Sequence, residues 1–211
     1  MVIRTVSVGR PAPLTGTEIE SAIFKQPVDG PAFLSKLGLT GDEQADLKHH
    51  GGPDKACCVY SGDHYPDWET ELGVSLPDSA FGENLTVDGL TEADVHIGDI
   101  YRVGGALVQV AQPRVPCYKI NRKFGMEGVT ERIAANGLSG WYLRVLEEGP
   151  VQSGDRFELI ERDPASATVL RANQIFHHER QSREAMEWLL ASTPAIAQVW
   201  KDVLQKRIEG L

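Results

Sequence analysis

Short runs of alternating apolar and polar residues dominate the chain up to about residue 160, and a helical period replaces them beyond it. Residues 2–8 (VIRTVSV) alternate and are rich in β-branched side chains, the pattern of a half-buried strand. Residues 9–16 carry Gly9, Pro11 and Pro13 and read as a loop. Residues 21–28 (SAIFKQPV) predict a second strand, with Lys25 in its polar register, and 56–60 (ACCVY) a buried third. Residues 61–72 predict a helix, with Ser61 as N-cap, Asp63 in the first turn and Gly73 just past the end. Residues 81–87 form a further strand, entered through Gly82 and closed by Asp88-Gly89.

The stretch 97–120 predicts a hairpin that leads to a cysteine. Its strands, 97–103 and 106–111, meet at Gly104-Gly105, a pair suited to a tight turn. Leu107 and Gln109 face one side, Val108 and Val110 the other, and Pro113 ends the strand because it has no N–H for the ladder. Residues 118–124 and 129–136 predict short helices, the second stopped by Gly137; 141–146 and 151–160 predict strands, with a turn at Ser153-Gly154-Asp155. Short strands with glycine-rich corners imply an α+β fold built on a closed or nearly closed β-barrel. After Asp163-Pro164, residues 166–176, 182–191 and 194–209 read as three amphipathic helices. Ser182 and Thr193 are their candidate N-caps, Pro194 is a candidate first helical residue, and His177 and His178 fall in a link as surface residues. A barrel domain, 1–163, and a helical extension, 164–211, are the expected units.

Candidate chemistry concentrates in loops. Residues 37–55 form a long, glycine-rich connection, the kind that is often functional. Within it, His49-His50-Gly51-Gly52 could place backbone N–H groups and imidazoles around an anion, or could be a solvated turn. Cys117 follows the stiff Pro116 and lies between Arg114 and Lys119. Nearby cations favour a thiolate, so the residue is a candidate reactive group; a buried structural cysteine is the alternative. Cys57 and Cys58, adjacent on a strand, face opposite sides and read as packing residues, and a zinc site with His49, His50 and His64 lacks CxxC spacing.

Composition narrows the field. The 211 residues are 41% hydrophobic and 24% charged, enough for a core, and the formal net charge is −9. That charge disfavours duplex nucleic acid as a partner. No apolar run reaches membrane-spanning length, and the first residues lack a signal-peptide core. Three cysteines, two of them adjacent, argue against a disulfide framework and for a reducing cytoplasm. No G-x-G-x-x-G motif for a flavin or nicotinamide cofactor occurs.

Four strings together give the chain a family likeness: SAIFKQPVDG at 21–30, LGLTGDEQADLKHHGGPDKA at 37–56, FGENLTVDGLTEADVHIGDIYR at 81–102 and QPRVPCYK at 112–119. They resemble the MOSC domain family, in particular its YiiM-type members, which carry a C-terminal three-helix extension. The resemblance implies a β-barrel that binds molybdenum cofactor, with Cys117 as the thiolate ligand to molybdenum and the catalytic centre. It also brings a family-level association with pyridoxal phosphate binding. It implies reduction of N-hydroxylated bases such as 6-hydroxylaminopurine to the amine, a detoxifying activity, with electrons from a separate reductase. A soft thiolate suits a transition metal, and the pterin phosphate needs cations and N–H donors. Lys25, His50, Gly51, Gly52, Asn84, Arg114 and Lys119 could supply these from separate segments, although a short helix could turn Lys119 to solvent. Two rival expectations remain: a cofactor or sulfur carrier with a persulfide on Cys117, and an interaction domain that works through its helical tail.

Overall fold

A computed structural model describes residues 1–46 and 50–211. Its strands, in chain order, are β1 (Val2–Val8), β2 (Ala12–Pro13), β3 (Glu20–Ser21), β4 (Gln26–Pro27), β5 (Ala32–Ser35), β6 (Gly38–Leu39), β7 (Cys57–Ser61), β8 (Leu85–Asp88), β9 (Ile100–Val103), β10 (Ala106–Pro113), β11 (Trp141–Glu147), β12 (Gly149–Val151) and β13 (Phe157–Glu161). Eight of them form one sheet in the order β13-β9-β10-β11-β7-β8-β1-β4. The sheet curls until its far members meet. Ile3 N donates to Asp155 O at 2.9 Å, Gly154 N to Ile3 O at 2.8 Å and Phe157 N to Met1 O at 3.2 Å. The result is a barrel-like ring, as the alternation implies, with Val108, Val110, Leu143, Val59 and Ile3 turned into its core. Along β10 the predicted facing holds: Val108 and Val110 are buried, Leu107 and Gln109 half-exposed.

Two predicted strands are divided for tertiary reasons. Residues 21–28 are not one strand; only the ends, β3 and β4, pair, and they pair with different partners. The segment between them bends against Gly82, where a Cβ would lie 2.6 Å from Ile23 Cγ1. Residues 151–160 likewise split into β12 and β13 around the predicted turn, and β12 joins a separate small sheet with β5 and β6.

Helices cover the ends of the barrel. Ser61 Oγ accepts from Asp63 N at 3.3 Å and opens a 3-10 turn that leads into helix Tyr65–Leu72, which stops at left-handed Gly73. Helices Lys119–Phe124 and Val129–Asn136 pack beside it around a second core of Tyr60, Trp68, Phe81, Ile120 and Ile133. The extension comprises Val169–His178, Arg183–Ser192 and Gln198–Glu209. Ser182 caps as predicted, its Oγ accepting from Ala185 N at 3.2 Å. Thr193 and Pro194 do not begin the last helix. Thr193 is buried with its hydroxyl on Leu189 O, and Ala197 N donates to Ala111 O at 2.8 Å, which holds 194–197 irregular against the barrel. His177 and His178 belong to a helix rather than a link, and His177 is half-buried. Met186, Leu189, Trp200 and Leu204 continue the barrel's own apolar core. Among the described residues no helix is long and apolar enough to cross a membrane.

Candidate active site

One end of the barrel opens into a cleft of about 630 Å³, part of it open to solvent. Each lining element arrives by a local rule. Strand β7 alternates, so Cys57 enters the barrel core while Cys58 faces the cleft. Tyr142 of β11 stands opposite Cys58 in the antiparallel register and faces the same way. Strand β10 ends at Pro113, and the following turn brings Arg114 and Cys117 to the rim before helix Lys119–Phe124 begins. Arg114 N donates to Gly140 O at 3.0 Å, and Gly140 must be glycine, since φ is 78° and a Cβ would lie 2.2 Å from Val59 O.

Six of the predicted site residues line this cleft: Lys25, His50, Asn84, Arg114, Cys117 and Lys119. Gly51 and Gly52 are not among its lining residues; Gly52 instead opens the turn Pro53–Lys55. The anion-binding reading of His49 lies outside the described residues. The six differ in how far the protein already uses them. Lys25 is 9% exposed and ion-paired with Asp42, which also accepts from Gly9 N at 2.8 Å. Asn84 braces β7 against β1: its Oδ1 accepts from Cys58 N at 3.1 Å and its Nδ2 donates to Ser7 O at 3.2 Å. Arg114 is buried and donates from Nη2 to Phe81 O at 2.6 Å. Lys119 is not turned to solvent; it is 8% exposed and, among the described residues, has no hydrogen bond or ion pair. Cys117 is half-exposed and free.

Two buried cations act on His50 in this cleft. Burial, together with Lys119 and Arg114, pushes the His50 imidazolium down to about 4, so the ring is neutral at pH 7. Burial also lowers Lys55 at the rim, and it pushes Lys123, behind the wall, down to about 8. Lys123 donates to Ile23 O at 3.1 Å and Ser79 O at 2.5 Å, tying the bent segment to the floor. Burial raises the Cys58 thiol and the Tyr142 phenol, so both stay protonated donors. Sequence reasoning assigned Cys58 to packing and missed Asp42 and Tyr142. The strand alternation of 56–60 was the available signal for Cys58; nothing local pointed to the other two.

The barrel-like domain and the three-helix extension each match a known family. The chain belongs to the MOSC domain family: the MOSC domain model matches residues 46–158, and the YiiM-like, 3-alpha helix domain model matches 168–211. Protein YiiM of Escherichia coli (strain K12) is 42% identical over 193 residues, covering 89% of this chain and 84% of the relative. The crystal structure of YiiM from Geobacillus stearothermophilus superposes with a TM-score of 0.84 at 38% identity and covers 98% of each chain. A Gibberella moniliformis protein named Reductase is 41% identical over 165 residues, 76% of this chain but 29% of that longer protein.

Proposed function

We propose that this protein is a molybdenum-cofactor-dependent reductase of N-hydroxylated compounds such as 6-hydroxylaminopurine. The observation that carries the reading is the joint presence, in one cleft, of the Cys117 thiol and two buried cations, Arg114 and Lys119, neither of which makes an ion pair among the described residues. A buried charge without a counter-ion is costly unless a ligand supplies one. An anionic, phosphate-bearing group with a thiolate-seeking metal fits that donor set. Arg114 and Lys119 would hold the phosphate, and Cys117 would ligate the metal. When bound, the cofactor supplies the two-electron chemistry.

The overall conversion is R–NHOH + 2 e⁻ + 2 H⁺ → R–NH₂ + H₂O. The chain's part is to hold the reactants and provide a protonated donor at the leaving oxygen, for which the Tyr142 hydroxyl lines the cleft. Electrons come from a separate reductase, because the sequence has no G-x-G-x-x-G motif. The Reductase name of the Gibberella relative supports an oxidoreductase role.

The test is molybdenum content and turnover measured together. Cofactor-loaded protein given reducing equivalents is expected to convert 6-hydroxylaminopurine to adenine, and Cys117→Ala to lose both bound molybdenum and turnover. Full activity in Cys117→Ala defeats the metal-ligand role. A persulfide mass on Cys117 with no molybdenum by elemental analysis points instead to a sulfur carrier.

A further inference from the structure

Behind the turn that carries Cys117 lies a buried polar chain that the proposed chemistry does not use. It starts in the helical extension. Leu170 and Asn173 stand three apart on helix Val169–His178 and so share one face. Leu170 N donates to Glu92 O at 2.8 Å. Asn173, 1% exposed, donates from Nδ2 to Gly137 O and to Ser139 Oγ, each at 2.9 Å. The helix comes this close because residue 137 has no side chain: φ is 75°, and a Cβ there would lie 2.9 Å from Leu170 Cδ1. Both amide protons of Asn173 are used, while its Oδ1 has no hydrogen-bond partner among the described residues. A buried acceptor left open is destabilising, so stability alone does not account for an amide at this place.

The chain ends on one residue of the backbone. Ser139 Oγ, which accepts from Asn173, donates to Gly140 O at 3.1 Å. The same oxygen accepts from Arg114 N at 3.0 Å. At the other end of the residue, Gly140 N donates to Glu92 Oε1 at 2.7 Å. Glu92 is fully buried, and its Oε2 meets His64 Nε2 at 2.6 Å. Gly140 is therefore gripped at its N–H by Glu92 and at its C=O by Ser139 and Arg114. Arg114 begins the turn that brings Cys117 to the rim, and Ile120 N closes that turn on Cys117 O at 2.9 Å. The bond from Arg114 N to Gly140 O anchors its near end.

We propose that Glu92, Ser139 and Asn173 are positioning residues: they fix Gly140 from both ends and so hold the turn that presents Arg114 and Cys117 to the cleft. None of the three lines the cleft. Through Asn173 the helical extension acts on the cysteine turn by a directed chain of hydrogen bonds. The inference rests on the reductase reading only for what the turn presents.

Amide exchange of the full chain, followed by mass spectrometry of its peptides, tests this. Ser139→Ala removes one oxygen and cuts the side-chain link; Glu92→Leu frees the Gly140 N–H. In each, the amides of residues 114–118 are expected to exchange on the order of fivefold to tenfold faster, the effect of one lost hydrogen bond, while strand β1 exchanges as in the wild type. Glu92→Gln keeps an acceptor for Gly140 N and exchanges like the wild type. Unchanged exchange at 114–118 in Ser139→Ala overturns the proposal. So does equal acceleration at 114–118 and in β1, which a merely stabilising role would give. Should Glu92→Leu not fold, Ser139→Ala decides alone. Faster local exchange, with no turnover of 6-hydroxylaminopurine by the cofactor-loaded wild type, leaves the positioning role standing and sinks the reductase reading. Turnover with unchanged exchange does the reverse.

Discussion

On one flank of the cleft, Lys25 meets Asp42 and Asn84 is bonded at both ends of its amide. On the other, Lys119 is equally buried but has no partner among the described residues, and the Cys117 thiol is free. Both flanks were candidates on the same grounds, a cation or amide in a loop at the barrel mouth. Lys25 and Asn84 form a finished wall, whereas Lys119 and Cys117 make no hydrogen bond or ion pair among the described residues.

The contrast breaks most readily at Asp42. Asp42→Ala leaves the Lys25 ammonium buried without its counter-ion, and urea denaturation is expected to show a loss on the order of 3 kcal/mol. A loss below about 0.5 kcal/mol would mean that Lys25 is no more committed than Lys119. The opposite change is expected across the cleft. Lys119→Met keeps the bulk of the side chain and removes an unpaired buried charge, so stability should rise by roughly 0.5 to 2 kcal/mol while molybdenum retention falls. A destabilised Lys119→Met that keeps its cofactor would erase the distinction.

A third test concerns pH. His50 and His177 are each held down to about 4, mainly by burial, against an ordinary value of 6.5. The unfolded chain therefore binds more protons than the folded one between those values. Stability is fully present above pH 6.5 and declines as pH falls toward 4. Urea midpoints measured from pH 7 to 4 should fall, and His50→Gln and His177→Gln should each flatten the decline. An unchanged slope in His50→Gln would show that the folded protein does not hold this ring down.

What could be read in advance divides along the same line. The Gly104-Gly105 hairpin, strand β7 and helix Val129–Asn136 are written in local alternation and punctuation, and they lie where the pattern places them. The cysteine turn was legible because Pro113 and Pro116 mark it. The Lys25–Asp42 pair was not, because it joins residues 17 apart across an irregular loop. Tyr142 was hidden by its strand: the pattern gives alternation, but only the register with Cys58 and Gln112 tells which face meets the cleft. The last helix was misread at its start because Ala197 spends its N–H on Ala111 rather than on a helical turn.

That contact is one of several by which the extension is fastened through backbone atoms. Ile97 N donates to Ala167 O at 2.9 Å and Val169 N to Val95 O at 2.8 Å, and His96 bridges Thr168. Main-chain fastenings do not depend on which side chains the helices carry. In engineering terms, the exposed positions of helix Gln198–Glu209 can be rewritten while these fastenings, and the core contacts of Trp200 and Leu204, stay in place.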